Sequence, residues 1–232
     1  MSDALNKVSG IRHLPLFPLP VVLLPNEVLP LHIFEERYRQ MLRDVAEERN
    51  MFGIPLYEPE GSYIERPGTG TVGCAAEIKQ SETFPDGRSN ILAVGIARFR
   101  LTDYVESGDP YLVGDVEFFE DEPVAPELID PLASEVFDLF ERMAKAAFKI
   151  SGSRGELPEL QRTDPESLSF LITAAFNFEN DKKYRLLEMT STVQRLGELR
   201  SMLERTVDQM EENATLQVAS KSNGHSKKKL DL

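Results

Sequence analysis

The side chains best suited to chemistry are few. His13, His32 and His225 are the only imidazoles, and Cys74 is the only thiol. No two of them stand in an H-x-x-x-H or C-x-x-C relation, so local spacing offers no zinc site. His32, on an apolar flank ahead of a helical stretch, reads as a hydrogen-bonded structural histidine. Cys74 would need a neighbouring base to act as a nucleophile. Set in a run of small strand-forming residues, it reads instead as a buried, inert thiol. Gly68-Thr69-Gly70-Thr71-Val72-Gly73 matches G-x-G-x-x-G letter for letter. That pattern holds a dinucleotide only where a strand enters and a helix leaves, because the helix N-terminus binds the pyrophosphate. Here Glu65-Arg66-Pro67 precedes it and residues 74–78 run on towards a turn, so the glycines read as a turn opening a packed strand. No glycine is followed by Lys-Ser or Lys-Thr, so a Walker A loop is missing from the sequence. Glu35-Glu36 and Glu47-Glu48 are adjacent on helical stretches, where neighbouring side chains diverge and cannot share a substrate. The expectation is a protein that is not an enzyme, with no catalytic, cofactor or metal residues.

Charge narrows the partners. The chain has 39 acids against 26 bases, a formal charge of -13. That balance repels phosphate backbones and disfavours nucleic acid. The one basic run, Lys227-Lys228-Lys229, lies in a polar tail. One cysteine allows no internal disulfide and suits a reducing compartment. The N-terminus lacks the apolar stretch of a signal peptide. Residues 14–31 come closest to a membrane span, but five prolines and Asn26-Glu27 interrupt them. A cytoplasmic protein with no membrane contact is the expectation.

These residues need elements to position them, and the composition divides the chain into two kinds. Up to about residue 120 it is rich in Pro, Gly and β-branched residues; beyond that, helix formers dominate. Residues 14–22 read as extended, because Pro15, Pro18 and Pro20 bias the residues before them away from helix. Residues 33–50 read as a helix, with Phe34, Tyr38, Met41, Leu42 and Val45 on one face. Residues 51–57, 71–84, 89–101 and 111–119 read as strands, with Pro85-Asp86-Gly87 as a hairpin turn. The acidic stretch between Glu117 and Asp130 reads as a solvated linker. Four helices are expected after it. One starts at Asp130-Pro131, and two open on the capping boxes Thr163–Glu166 and Ser191–Gln194. The last carries Val193, Leu196, Leu199, Leu203, Val207 and Met210 near heptad spacing, better suited to packing within the chain than to a partner helix. The fold class is α+β, a mostly antiparallel β barrel or sandwich with one helix, followed by an α-helical bundle. The expected boundaries are 11–120 for the β-rich part, 126–213 for the bundle and 214–232 for a disordered tail.

The N-terminal run then becomes informative. Leu14-Pro15-Leu16-Phe17-Pro18-Leu19, the strand ending at Pro25, and Leu31-His32-Ile33-Phe34-Glu35 with Arg37-Tyr38 resemble the opening of the N-terminal domain of Lon-type proteases. Gly70-Thr71-Val72-Gly73, Val94–Phe99 with its Arg98-Phe99, and Lys183–Glu188 resemble later stretches of that family, in the same order. The likeness covers about residues 11 to 211, and Pro20, where the full-length proteases carry a polar residue, favours stand-alone members. The resemblance implies a PUA-like barrel followed by a helical bundle. It also implies a substrate-recognition role towards unfolded or tagged protein segments, and a protease as a further partner. In the proteases themselves, other domains hydrolyse ATP and carry a Ser-Lys dyad. A non-catalytic binding module is therefore expected, an adaptor for proteolysis whose binding residues and oligomeric state stay open. The Pro- and Leu-rich N-terminal segment is where an apolar groove is expected. An RNA-binding protein of the PUA-like kind and an accessory subunit of a separate ATP-dependent protease are the alternatives.

Overall fold

The computed structural model describes residues 2–57, 66–151, 157 and 159–223. His225 and Lys227–Lys229 lie outside them. The chain separates into two compact units, Met1–Glu122 with Thr173–Thr190, and Pro123–Ile172 with Ser191–Leu232.

The first unit is built on six strands: β1 (His13–Leu16), β2 (Val28–Ile33), β3 (Met51–Pro55), β4 (Val72–Thr83), β5 (Ser89–Val105) and β6 (Leu112–Phe119). Helices α1 (Asp3–Val8), α2 (Glu36–Ala46) and α5 (Asn180–Glu188) belong to it. The sheet order is β2-β5-β4-β3-β1-β6, and β6 also pairs with β5. All pairs are antiparallel except β1 with β3. The α+β class stands, but the sheet is mixed and is not a clean antiparallel barrel. Its longest strand, β5, changes partners along its length, and β2 pairs with β5 alone. Register shifts in β4–β5 and β5–β6 bend the strands as bulges do.

Strand alternation, with side chains from α2 and the loops, fills buried clusters, of which two are the larger. Phe17, Leu23, Ile33, Met41, Phe52, Ile54 and Ile91 form one, and Leu14, Leu16, Phe99, Leu101 and Val116 form the other. Each such side chain, fully buried, contributes about 1.5–3 kcal/mol. α2 lays Tyr38, Met41 and Val45 inward, and the Tyr38 ring sits 4.1 Å from that of Phe17. It starts at Glu36, not at residue 33, because Ile33 is the last residue of a strand. That strand, β2, is not expected from the sequence, and neither is α1. Pro30 argues against a central strand, and it is tolerated here because an edge strand need not spend every N–H on a ladder.

One end of the β4–β5 pair is sealed by close approach. A methyl at Gly73 would lie 2.6 Å from the Phe99 ring and 2.8 Å from the Ile54 carbonyl. Arg98 is buried beside it, donating through Nη1 to the carbonyls of Leu187 (3.0 Å) and Met189 (2.6 Å), and pairing through Nη2 with Asp121. Its guanidinium also lies 4.6 Å from the Phe119 ring centre. The acidic stretch is thus not wholly solvated: Asp121 is drawn inside because a buried guanidinium needs a counter-charge. The Tyr184 hydroxyl of α5 accepts the Val72 N–H at 2.9 Å.

The second unit packs α3 (Pro126–Ser151) along α6 (Thr192–Asn223). Leu196, Leu199, Leu203 and Val207 of α6 are fully buried. α3 begins at Pro126, ahead of the expected Asp130-Pro131 start. Pro126 supplies the pre-set φ of a first helical residue, and Pro131 is carried inside the helix. α4 (Pro165–Ala175) is capped by Asp164 rather than Thr163: its Oδ1 accepts the Ser167 N–H at 2.9 Å, with Pro165 next in line. Ser191 caps α6 as expected, accepting the Gln194 N–H at 3.3 Å. α6 runs to Asn223, and Ala214 extends its buried stripe at 3% exposed. Buried Arg195 donates to Ser169 Oγ at 2.7 Å and lies 4.1 Å from the Phe170 ring centre.

Candidate functional site

Beyond Ile78, β4 outruns β3, whose pairing stops at Glu77. From there to the hairpin turn, three strands stand together, β2, β5 and β4, in register Pro30↔Leu92↔Gln80 and His32↔Asn90↔Glu82. Because successive strand side chains point to opposite faces, each such row shares one face. The intervening positions, Leu31 and Ile91, turn to the core behind them. The row faces are different. Val28, at the start of β2, and Phe34, just past its end, are 56% and 62% exposed, the highest values among the described large apolar residues of this unit.

The face has an apolar end and an aromatic end. Val28 pairs with Val94, and Pro30 with Leu92. At the other end the His32 ring stacks on Phe34 at 6.2 Å and meets Phe84 at 6.4 Å. His32 Nδ1 is 2.7 Å from Asn90 Oδ1 across the ladder, so the histidine has the hydrogen bond expected of it, but on an exposed face. A cleft of about 560 Å³ runs over Pro30, His32, Asn90, Leu92 and Glu82. Side chains of this kind can bury apolar groups and exchange hydrogen bonds; none has a partner that would activate it as a nucleophile or base.

The turn that carries Phe84 is fixed from both sides. Gly87 N–H donates to the Phe84 carbonyl at 2.9 Å, and Gly87 takes φ +82, a region that only glycine enters cheaply. The Arg39 guanidinium of α2 fills the space where a Gly87 methyl would stand. Asp86 pairs with Arg88 at 2.7 Å, and that hydrogen bond holds the Asp86 carboxyl below its usual range. Glu27, at the entry to β2, accepts the Leu24 N–H at 2.9 Å, yet burial pushes its carboxyl up.

The N-terminal segment expected to form the groove is mostly core: Leu14, Leu16, Phe17, Val22, Leu23 and Leu24 are buried. Its continuation, residues 28–34, is where apolar surface remains. The period-2 pattern of Val28, Pro30, His32 and Phe34 against Leu29, Leu31 and Ile33 was the available signal. Cys74 is buried, and burial pushes its thiol up to about 12. The strand β4, not a helix, begins at Val72 within Gly68–Gly73 and runs on from it. Among the described residues no cluster of three or more potential ligands could hold a metal ion, and no helix is long and apolar enough to cross a membrane. A second cleft, of about 460 Å³ near Arg12, His13 and Arg49, has its arginines engaged, Arg12 by Asp115 and Arg49 by the carbonyls of Lys7 and Ser9.

Residues 13–205 match the model of a family described as the ATP-dependent protease La (LON) substrate-binding domain. A Lon protease of Geobacter metallireducens is 30% identical over 224 residues, which cover 90% of this chain and 26% of that protein. One from Brevibacillus choshinensis is 28% identical, covering 88% and 26%. The chain spans about a quarter of the length of the curated relatives it matches. Among solved structures, a Lon N-terminal domain protein from Xanthomonas campestris aligns with a TM-score of 0.58 at 24% identity, over 82% of this chain and 98% of that one. The N-terminal domain of a Mycobacterium avium complex Lon protease aligns with a TM-score of 0.61 at 19% identity, over 83% and 98%. At those identities the likeness bears on the fold.

Proposed function

The chain belongs to the ATP-dependent protease La (LON) substrate-binding domain family, and from this we propose that it recognises protein substrates by burying their apolar side chains on the open face of β2, β5 and β4. The observation that carries the reading is Phe34, a phenyl ring 62% exposed on a sheet face that also presents Val28. Exposed apolar surface grouped this way marks an interaction site. Unfolded proteins are the partners that offer such groups in extended form, and no covalent step is needed.

In this reading the chain is a binding module without catalysis of its own, and it serves proteolysis as an adaptor that hands clients to a protease. Lack of an activated nucleophile at the face supports it, as does the inert, buried Cys74. Titrating a labelled, permanently unfolded protein against the chain by fluorescence anisotropy tests recognition: saturable binding is expected, and none at high micromolar concentration rejects it. Incubating the chain alone with an unfolded protein and ATP tests the rest. Cleavage of peptide or nucleotide bonds by the pure chain overturns the non-catalytic reading.

A further inference from the structure

Resting on that reading, we infer that the segment taken by this face is an extended apolar stretch that carries lysine or arginine and lacks aspartate and glutamate, its basic side chain lying at the Glu82 row. Three observations converge on this chemistry.

The rows Pro30–Leu92–Gln80 and His32–Asn90–Glu82 carry no lysine or arginine, and their one formal charge is the Glu82 carboxylate; the next row, Val28–Val94, ends on Glu77, which Lys79 and Lys7 already pair. Glu82 is exposed, and among the described residues it has no ion-pair partner. The bases nearest to it in the chain are already engaged, Lys79 by Glu77 at 2.6 Å and Arg88 by Asp86 at 2.7 Å. A carboxylate left over beside an apolar strip is complementary to a cation on the ligand and repels an anion there.

Geometry sets the form of the ligand. Same-face residues along a strand recur every second position, about 6.5–7 Å apart, and an extended peptide repeats its own side chains at that spacing. A segment lying along β5 thus meets the Val94 and Leu92 positions with its apolar residues before it reaches Asn90 and Glu82. Field reinforces contact: with a formal charge of -13 the chain repels acidic segments at a distance and draws basic ones in.

The apolar contacts supply affinity, and the charge supplies selection. A solvent-exposed pair changes affinity by about 3-fold at low salt, and screening removes most of that at about 0.5 M. The test uses the full chain and three labelled peptides with one shared apolar core, flanked by Lys, by Gln or by Glu. Anisotropy at low salt should rank them Lys, then Gln, then Glu, with about 3-fold between the first two, and high salt should close the gap. Glu82→Gln should bring the Lys and Gln peptides together, whereas Phe34→Ser should weaken all three in proportion. Equal binding of the three peptides by the wild type overturns this inference and leaves substrate recognition standing, as does a Lys preference that Glu82→Gln does not alter. Binding of none of them removes the recognition reading, and this inference with it.

Discussion

At one end of the β4–β5 pair, Gly73 lies against the Phe99 ring, Arg98 is threaded into carbonyls and a carboxylate, and the neighbouring residues Val72 and Leu101 are fully buried. At the other end, the same two strands carry Gln80, Glu82 and Asn90 into solvent, with Phe34, just past the end of the adjoining strand, 62% exposed. Both ends are paired by backbone hydrogen bonds, with register shifts at Ala75/Ala76 and Ile78/Gln80 between them, so pairing alone does not distinguish them. What differs is the flank. β3 and β6 cover the first end, whereas the pairing of β3 stops at Glu77 and leaves the second, among the described residues, with β2 as its other neighbouring strand. The sealed end supplies stability; the open end, beyond the register shifts at Ala75/Ala76 and Ile78/Gln80, can present a patterned surface without contributing to the core.

That contrast can be broken most sharply at Arg98. Arg98→Ala removes the ion pair to buried Asp121 and the donations to the Leu187 and Met189 carbonyls, so urea unfolding should show a loss of about 3–5 kcal/mol. The buried Cys74 thiol should then react with a thiol reagent under conditions where the wild-type chain does not. A smaller but still clear loss, about 1–3 kcal/mol, is expected for Gly73→Ala, because the added methyl meets the Phe99 ring and the Ile54 carbonyl.

Glu27, where the chain enters the open strand, gives a weaker and pH-dependent effect. Burial raises its folded-state pKa. Protonation therefore favours the folded state, and that contribution is lost as pH rises through the folded value. Glu27→Gln should compare more favourably with the wild type at about pH 7 than at about pH 4 in urea denaturation, and no change in the comparison would contradict the assignment. Smallest of all is the stability effect of Phe34→Ser, within about 0.5 kcal/mol by the same measurement. A large loss there would mean that the open end is structural after all, and the distinction between the two ends would fail.

Much of this was legible beforehand. The hairpin turn at Pro85–Gly87, the four strands around it, the burial of Cys74 and the Ser191 cap follow from local chemistry that tertiary packing did not override. The sealed end was only half legible. Arg98 stood out in the Val94–Phe99 motif, but its counter-charge Asp121 sits 23 residues away in a stretch that composition alone makes a linker. The open face was hidden for a related reason. β2 contains Pro30 and runs straight towards a helix, so the periodicity of Tyr38, Met41 and Val45 seemed to reach back to residue 33 and absorbed Phe34 into a helix face. Nor could the sequence say where β3 ends relative to β4, and that offset is what leaves the rows uncovered.

The claim that the open end binds and the sealed end does not is tested most directly by hydrogen–deuterium exchange of the full chain with and without a saturating unfolded protein. Protection should appear at the backbone amides of residues 28–34 and 79–92 and leave those of 72–76 and 97–101 unchanged. Protection placed elsewhere, with 28–34 and 79–92 exchanging as in the free chain, would contradict it.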